Sequence, residues 1–287
     1  MSTKRNITQQ LGLGMLIFFV AVVLFFLGLI LFDVISKGGG ILSRNFLLGF
    51  PRKGMTEGGI FPAIIGTTFV TLTTALFAIP LGIAAAIYLS EYATDNFITR
   101  LIRAAIRNLA GVPSIIYGLF GVAIFVQGLD LGTSILSAGL TLGLLTLPYI
   151  ITTTEEALKN VPHAYREGAL ALGATQWQAI STNVLPSAVS GIVTGAILGL
   201  SRAAGETAPI LFTGAAFYLR YLPASINGEF MALPYHLYIM STQHHAIAEV
   251  RPIAYGTALV LLFLVFILNV IAFIIRYRYK SLNKRQV

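Results

Sequence analysis

The chain has 287 residues, of which 56% are hydrophobic and only 10% charged, against about 25% charged in an average soluble domain. With a mean hydropathy of +0.82, a water-soluble fold is excluded and an integral membrane protein is expected. The formal charge of +8 comes from basic residues flanking apolar runs, the pattern of topology signals and anionic-lipid contacts rather than nucleic-acid binding, and the absence of cysteine excludes disulfides and thiolate metal sites.

In chain order, residues 11–32 form an apolar run behind Lys4 and Arg5. The run is longer than the roughly 7–15 residues of a signal-peptide core and lacks a small-residue cleavage site, so it reads as a retained first span. "SKGGGILSRN" and "FPRKGMTEGG" then read as an exposed loop. Residues 1–60 are therefore expected to be an anchor helix with its loop, and 61–287 one transmembrane domain. Five further spans are expected at 62–90, 113–129, 133–153, 186–212 and 252–275, the 113–129 span being short and Gly-rich. The fold class is all-α and polytopic, with about six transmembrane helices. Twelve of the 19 Lys and Arg residues fall on the side of both termini and six on the other, which predicts N- and C-termini inside.

Between the second and third spans, Arg100, Arg103 and Arg107 recur at i, i+3 and i+7, while Leu101, Ala105 and Leu109 face elsewhere. Residues 91–110 thus predict an amphipathic helix at the membrane interface, or a plain juxtamembrane anchor. Thr67, Thr71 and Thr74 share one face of the second span, where they either line a path or pack through their hydroxyls. Tyr117 reads as a pathway residue or an interfacial aromatic.

Soluble-enzyme chemistry is missing from the sequence. It has no G-x-x-x-x-G-K-[ST] phosphate loop, no H-E-x-x-H and no G-x-S-x-G. The histidines are His163, His236, His244 and His245. The last two lie in an expected outer loop near Glu249, as a metal site or as solvated side chains. Energy from ATP has to come from a partner.

The fifth span raises the sharpest question. Gly191, Gly195, Gly199 and Ala203 repeat every four residues and make a small-residue face for close helix packing. Arg202 and Glu206 flank it and are expected to point into a helix seam rather than to lipid. Counted from Ala188, Arg202 would lie about 21 Å along the helix, near the middle of a core roughly 30 Å thick. A charge there costs about 2.5–3.5 kcal/mol on insertion scales. One reading is an ion pair that fixes packing, although buried pairs are poor stabilisers. The other is a weak station for a passing anion, because a guanidinium can make two parallel hydrogen bonds to phosphate. Gly205 and Pro209 weaken the helix beside the charges, as in transporters with broken helices.

Loop 154–186 is polar enough to leave the bilayer yet patterned for structure. Pro162 suits a helix start, and "AYREGALALGA" places Gly173 to end a short helix before a second one. This stretch resembles the E-A-A-x-x-x-G, nine residues, I-x-L-P signature of permease subunits of bacterial ABC importers. Glu167-Gly168-Ala169 precedes Gly173, and Leu185-Pro186 follows at the matching distance. Gly168 replaces an alanine and Asn183 an isoleucine. "VPSIIYGLFG", "TTTEEAL", "GATQWQAI" and "RAAGETAPILFT" are similar to the phosphate importer branch, and the N-terminal region and "RYRYKSLNK" resemble its PstA type more than its PstC type.

The resemblance implies the type I importer permease fold. It implies a coupling helix that docks on a cytoplasmic ATPase through Glu167, Gly168, Ala169 and Gly173, while the substrate path through Arg202 and Glu206 is expected from their own chemistry. The implied partners are a PstC-type permease, a PstB-type ATPase dimer that carries the ATP and Mg, a PstS-type extracytoplasmic phosphate-binding protein, inorganic phosphate and membrane lipid. No cofactor is expected on this chain, and the expected location is the bacterial inner membrane. Rival readings are a permease for molybdate or phosphonate, an ion-coupled secondary anion transporter, and an anion channel.

Overall fold

The computed structural model describes the backbone of residues 2–283 and the side chains of residues 12–278. Lys284 and Arg285 lie outside the described residues, and Lys4, Arg5 and Lys280 outside the described side chains. Five helical stretches are long and apolar enough to cross a membrane: Gly12–Ile41, Phe61–Tyr92, Ile135–Lys159, Gln176–Gly205 and Ile247–Arg278. A sixth crossing is available only if a sharply bent helix pair, Phe97–Leu109 with Ser114–Gly128, is taken as one span.

The centre is built by three of these helices. α3 (Phe61–Ile87) carries Pro62 in its first turn, where the missing N–H costs nothing, and continues as π-helix through Tyr88–Tyr92. α6 (Ile135–Lys159) is capped by Ser134, whose hydroxyl accepts from Ser137 N–H at 3.1 Å. α9 (Leu185–Gly205) follows from a short α8 (Gln176–Ala179) through π-wound Ile180–Val184. α6 is the most enclosed and packs on both others.

The contacts are made at backbone range. A Cβ on Gly82 of α3 would stand 2.6 Å from Ile150, and one on Gly139 of α6 would stand 2.6 Å from Thr73. From α9, Gly191 lies against Ala157, Gly195 against Thr153 and Gly199 against Tyr149. Lipid offers helices no hydrophobic drive to associate, so such close van der Waals contact carries much of the cohesion.

α1 (Ser2–Gly38) exposes its apolar stretch and meets the bundle along α12 (Ile247–Asn283). There Gly38 faces the Tyr255 carbonyl, and the Tyr255 hydroxyl donates to Asp33 at 3.0 Å. Residues 39–60, expected as an exposed loop, are folded. α2 (Arg44–Leu48) and the antiparallel pair β1 (Pro51–Arg52) and β2 (Glu57–Gly58) bring Phe46, Met55 and Ile60 into the main core. Three apolar side chains spaced through a Gly-rich stretch were enough to tuck it in.

The expected third span is found as one arm of a bent helix pair. α4 (Phe97–Leu109) and α5 (Ser114–Gly121), which runs on as π-helix to Gly128, meet at 103°. Ser114–Gly128 reaches at most about 22 Å, short of a roughly 30 Å core. The fourth span runs on to Lys159 rather than ending at 153. The fifth starts at Gln176 and stops at Gly205, well short of 212, and α10 (Ala208–Thr213) is separate. Continued as helix, Pro209 would have met the Gly205 carbonyl four residues back. The stretch before α12 holds an unexpected helix, α11 (Leu233–Thr242), with Leu233, Tyr235, His236, Ile239 and Met240 buried. α7 (His163–Ala171) stands outside the bundle, with no residue buried.

The glycine seams make graded predictions. A Cβ on Gly66 would strike the Met231 carbonyl oxygen, which is backbone, and stand 2.9 Å from the Phe230 ring. On Gly199 it would sit 3.2 Å from the Tyr149 ring, which can turn aside. Gly66→Ala is expected to cost about 1–3 kcal/mol. Gly199→Ala is expected to stay within about 1 kcal/mol of wild type, since the gain in helix propensity offsets crowding. Thermal denaturation of the two variants in detergent tests the order.

Candidate translocation and coupling sites

Arg202 occupies the last turn of α9, where a cation complements the helix's negative end. Glu206 follows the break in extended conformation, its N–H donating to the Ala203 carbonyl at 3.1 Å. The two side chains pair at 3.5 Å between Nε and Oε1. Glu206 is largely covered, at 18% exposure, whereas Arg202 is 60% exposed.

The expectation that Arg202 points into a seam is therefore corrected. The seam against α6 is made by Gly191, Gly195 and Gly199, with Ala203 in register and buried. Residue 202 lies about 100° round the helix from residue 203 and faces outward. Its position along the helix is also later than expected, beside the break rather than at mid-helix.

The break is lined by α5. Gly118 and Gly121 let α5 approach Pro209, Phe212 and Thr213 of α10, and Arg202 is close enough for its charge to be felt at the Tyr117 hydroxyl. Tyr117 itself is buried and donates to the Leu109 carbonyl at 2.9 Å, closing the bend between α4 and α5. The threonine face is a packing face. Thr67, Thr71 and Thr74 are buried and donate to carbonyls one turn back at 2.7–2.8 Å, and Thr67 also accepts from Leu233 N–H at 2.8 Å.

At the other end of the bundle stands the loop that carries Glu167, Gly168, Ala169 and Gly173. α7 ends in a left-handed turn at Gly173, φ +86°, with Gly173 N–H on the Leu170 carbonyl at 3.0 Å and Ala174 N–H on the Ala169 carbonyl at 3.1 Å. Thr175 and Gln178 then form a capping box that starts α8. Glu167 and Gly168 are exposed, and a Cβ on Gly168 or Gly173 would meet nothing. The tip also bares Leu172, 92% exposed, with Leu170, Tyr165 and Trp177. These apolar residues in a polar loop were visible in the sequence, and the motif reading passed over them.

Two arginines hold this end together. Arg166 lays its fork on Glu91 at 2.6 and 2.8 Å and donates to the Leu158 and Val161 carbonyls, both at 2.9 Å. The hydrogen bonds from Arg166 to Glu91 push the guanidinium pKa further up, so Arg166 stays charged. Arg103 turns inward, bonding Glu155 at 3.1 Å and the Leu89 carbonyl at 2.5 Å. It does not share a solvent face with Arg100 and Arg107, as the spacing implied; the partly buried carboxylate on α6 draws it in. Nothing local in the sequence marks residues 91 and 166, 75 positions apart, as partners.

The histidines separate. His163 opens α7 and is exposed. His244 accepts from Ala246 N–H at Nδ1, 3.1 Å, which leaves Nε2 to donate to the Gly54 carbonyl at 2.8 Å, and its ring stacks on His245. Among the described residues no three His, Asp or Glu side chains gather to hold a metal.

With this geometry in place, comparison with known proteins supplies the family. Residues 78–281 match the model for the binding-protein-dependent transport system inner membrane component. The chain belongs to that permease family. It is 32% identical to the probable ABC transporter permease protein YqgI of Bacillus subtilis, over 94% of this chain and 95% of that one. It is 34% identical to the phosphate transport system permease protein PstA of Yersinia pestis, over 95% and 90%. In structure it resembles a permease chain of a bacterial alginate ABC transporter solved with its periplasmic protein, with a TM-score of 0.64 at 15% identity, covering 99% of this chain and 98% of that chain. The type I importer permease fold is thereby established.

His236 makes a pH prediction. It lies outside the five spanning helices, fully buried, and burial lowers its pKa to about 4. Its unfolded-state value is near 6.5. Between these values the unfolded chain binds the extra proton, so stability is lost as pH falls from about 6.5 toward 4, by roughly 3 kcal/mol at the limit. His236→Phe is expected to flatten that slope in melting temperatures taken from pH 7 to pH 4.

Proposed function

We propose that this permease is the PstA-type transmembrane subunit of an ATP-driven phosphate importer, with N- and C-termini in the cytoplasm of a bacterium and the α7 tip facing its ATPase. The relatives named for phosphate transport support the substrate. The observation that carries the reading is an open guanidinium, 60% exposed, beside a break in a membrane span of an importer permease.

In the assembled importer this open face of α9 lies toward the PstC-type permease, and phosphate passes between the two. Arg202 offers a planar fork to two phosphate oxygens. Glu206 holds the fork when no anion is present. It also accepts from a protonated phosphate oxygen, a bond that a fully deprotonated oxyanion such as molybdate cannot make. The station is weak by design, because an anion must leave as readily as it enters. Capture affinity comes from the PstS-type binding protein, and the PstB-type dimer supplies ATP hydrolysis. Closure of that dimer draws on α7 and changes the side to which the cleft opens.

Two outcomes test this reading in proteoliposomes carrying the four-component complex. Arg202→Gln is expected to assemble normally and lose about 10–100-fold in phosphate uptake, the value of one or two charge-assisted hydrogen bonds. Full uptake by that variant would remove the station. Gly173→Val strains the left-handed turn and is expected to reduce co-purification of the ATPase without lowering the melting temperature of the isolated subunit by more than about 2 kcal/mol equivalent.

A further inference from the structure

We propose that Arg166 and Glu91 are positioning residues that lock α7 and the end of α3 into one rigid lever, through which movement of the coupling tip reaches the bundle. The inference rests on the reading of α7 as the coupling helix. It goes beyond that reading by naming the tie.

α7 has no buried residue, and its packing neighbours are α8 and the π-wound turn after it. Among the described residues no other α7 side chain hydrogen-bonds to a spanning helix. Arg166 makes three such contacts and a fourth beside them. Two go to the Glu91 carboxylate at the end of α3, one to the Leu158 carbonyl in the last turn of α6, and the fourth to the Val161 carbonyl just past it. Glu91 is 6% exposed and Arg166 17%, so water competes weakly. A bidentate fork fixes direction as well as distance, which a single lysine contact does not.

Gln176 of α8 donates to the Glu91 carbonyl at 2.6 Å, so both arms of the coupling hairpin grip the same residue. Glu91 sits in the π-wound stretch Tyr88–Tyr92, a register-shifted winding of the kind found at functional sites. From there α3 is keyed into α6 by Gly82, Gly139 and Gly143. A displacement of α7 therefore arrives at the glycine seam without passing through flexible loop.

The test uses the complete importer. Glu91→Gln keeps the shape and removes the charge; Arg166→Lys keeps the charge and removes the fork. Both are expected to retain the ATPase on purification and to hydrolyse ATP within about twofold of wild type, while phosphate moved per ATP falls about tenfold or more. An unchanged ratio in both variants overturns the proposal. So does a parallel fall in hydrolysis and uptake, or loss of the ATPase, since either makes the pair a structural contact.

A second measurement is independent of substrate. The chain has no cysteine, so Ala164→Cys and Tyr88→Cys can be spin-labelled alone. Their separation is expected to stay constant between nucleotide-free and ATP–vanadate states, and to vary once Glu91→Gln is added. A wild-type separation that changes with nucleotide overturns the lever. Absence of phosphate uptake by the wild-type complex overturns only the assigned substrate, and absence of a bound ATPase overturns the coupling reading itself.

Discussion

Close approach of α3, α6 and α9 is the condition on which the remaining structure depends. In lipid, helices gain little by hiding apolar side chains from one another, so backbone-range packing has to supply the cohesion. Glycine provides it at Gly82, Gly139, Gly143, Gly191 and Gly195, each of which faces a side chain that a Cβ would strike. With α6 clamped between its neighbours, the two ends of the bundle become fixed platforms. One carries α10, α11 and the folded segment 39–60. The other carries the α7–α8 hairpin. A looser bundle could hold neither the break at Gly205 nor the grip on α7 in constant relation to one another.

Charge is distributed by the same logic. Helix ends leave carbonyls without partners, and at the coupling end the C-termini of α3 and α6 lie side by side. Arg103 caps Leu89 of α3, Arg166 caps Leu158 and Val161 at the end of α6, and Glu155 and Glu91 balance the two guanidiniums. Each of these groups answers a local need. Arg202 differs: its partner Glu206 is at 3.5 Å and most of its surface is open.

The fold class and most spans were legible because a membrane helix announces itself by length of apolar run alone. Its boundaries were not, since polar residues such as Thr154 and Glu155 are tolerated inside α6 where neighbouring helices bury them. The third span misled for the opposite reason. Residues 113–129 are apolar enough to suggest a crossing, but Ser114–Gly128 is short and joins α4 at 103°, a bend that Tyr117 helps close by reaching back to Leu109. α11 was hidden because a buried half-helix without spanning length looks like loop in a hydropathy reading. At the site, the i, i+4 pair Arg202 and Glu206 could be found from spacing, but the direction it faces could not. The Glu91–Arg166 contact had no local signature, because it joins elements brought together only by folding.

Leu172 carries a consequence for the life of the protein before it is assembled. It stands almost wholly in water at a rigid turn, flanked by Leu170 and Trp177, and each such side chain left wet forgoes about 1.5–3 kcal/mol. A lone copy in the bilayer therefore displays a sticky, preformed knuckle on its aqueous side until something covers it. An apolar knuckle of that size is sticky, so a copy in which it stays bare is prone to non-specific association.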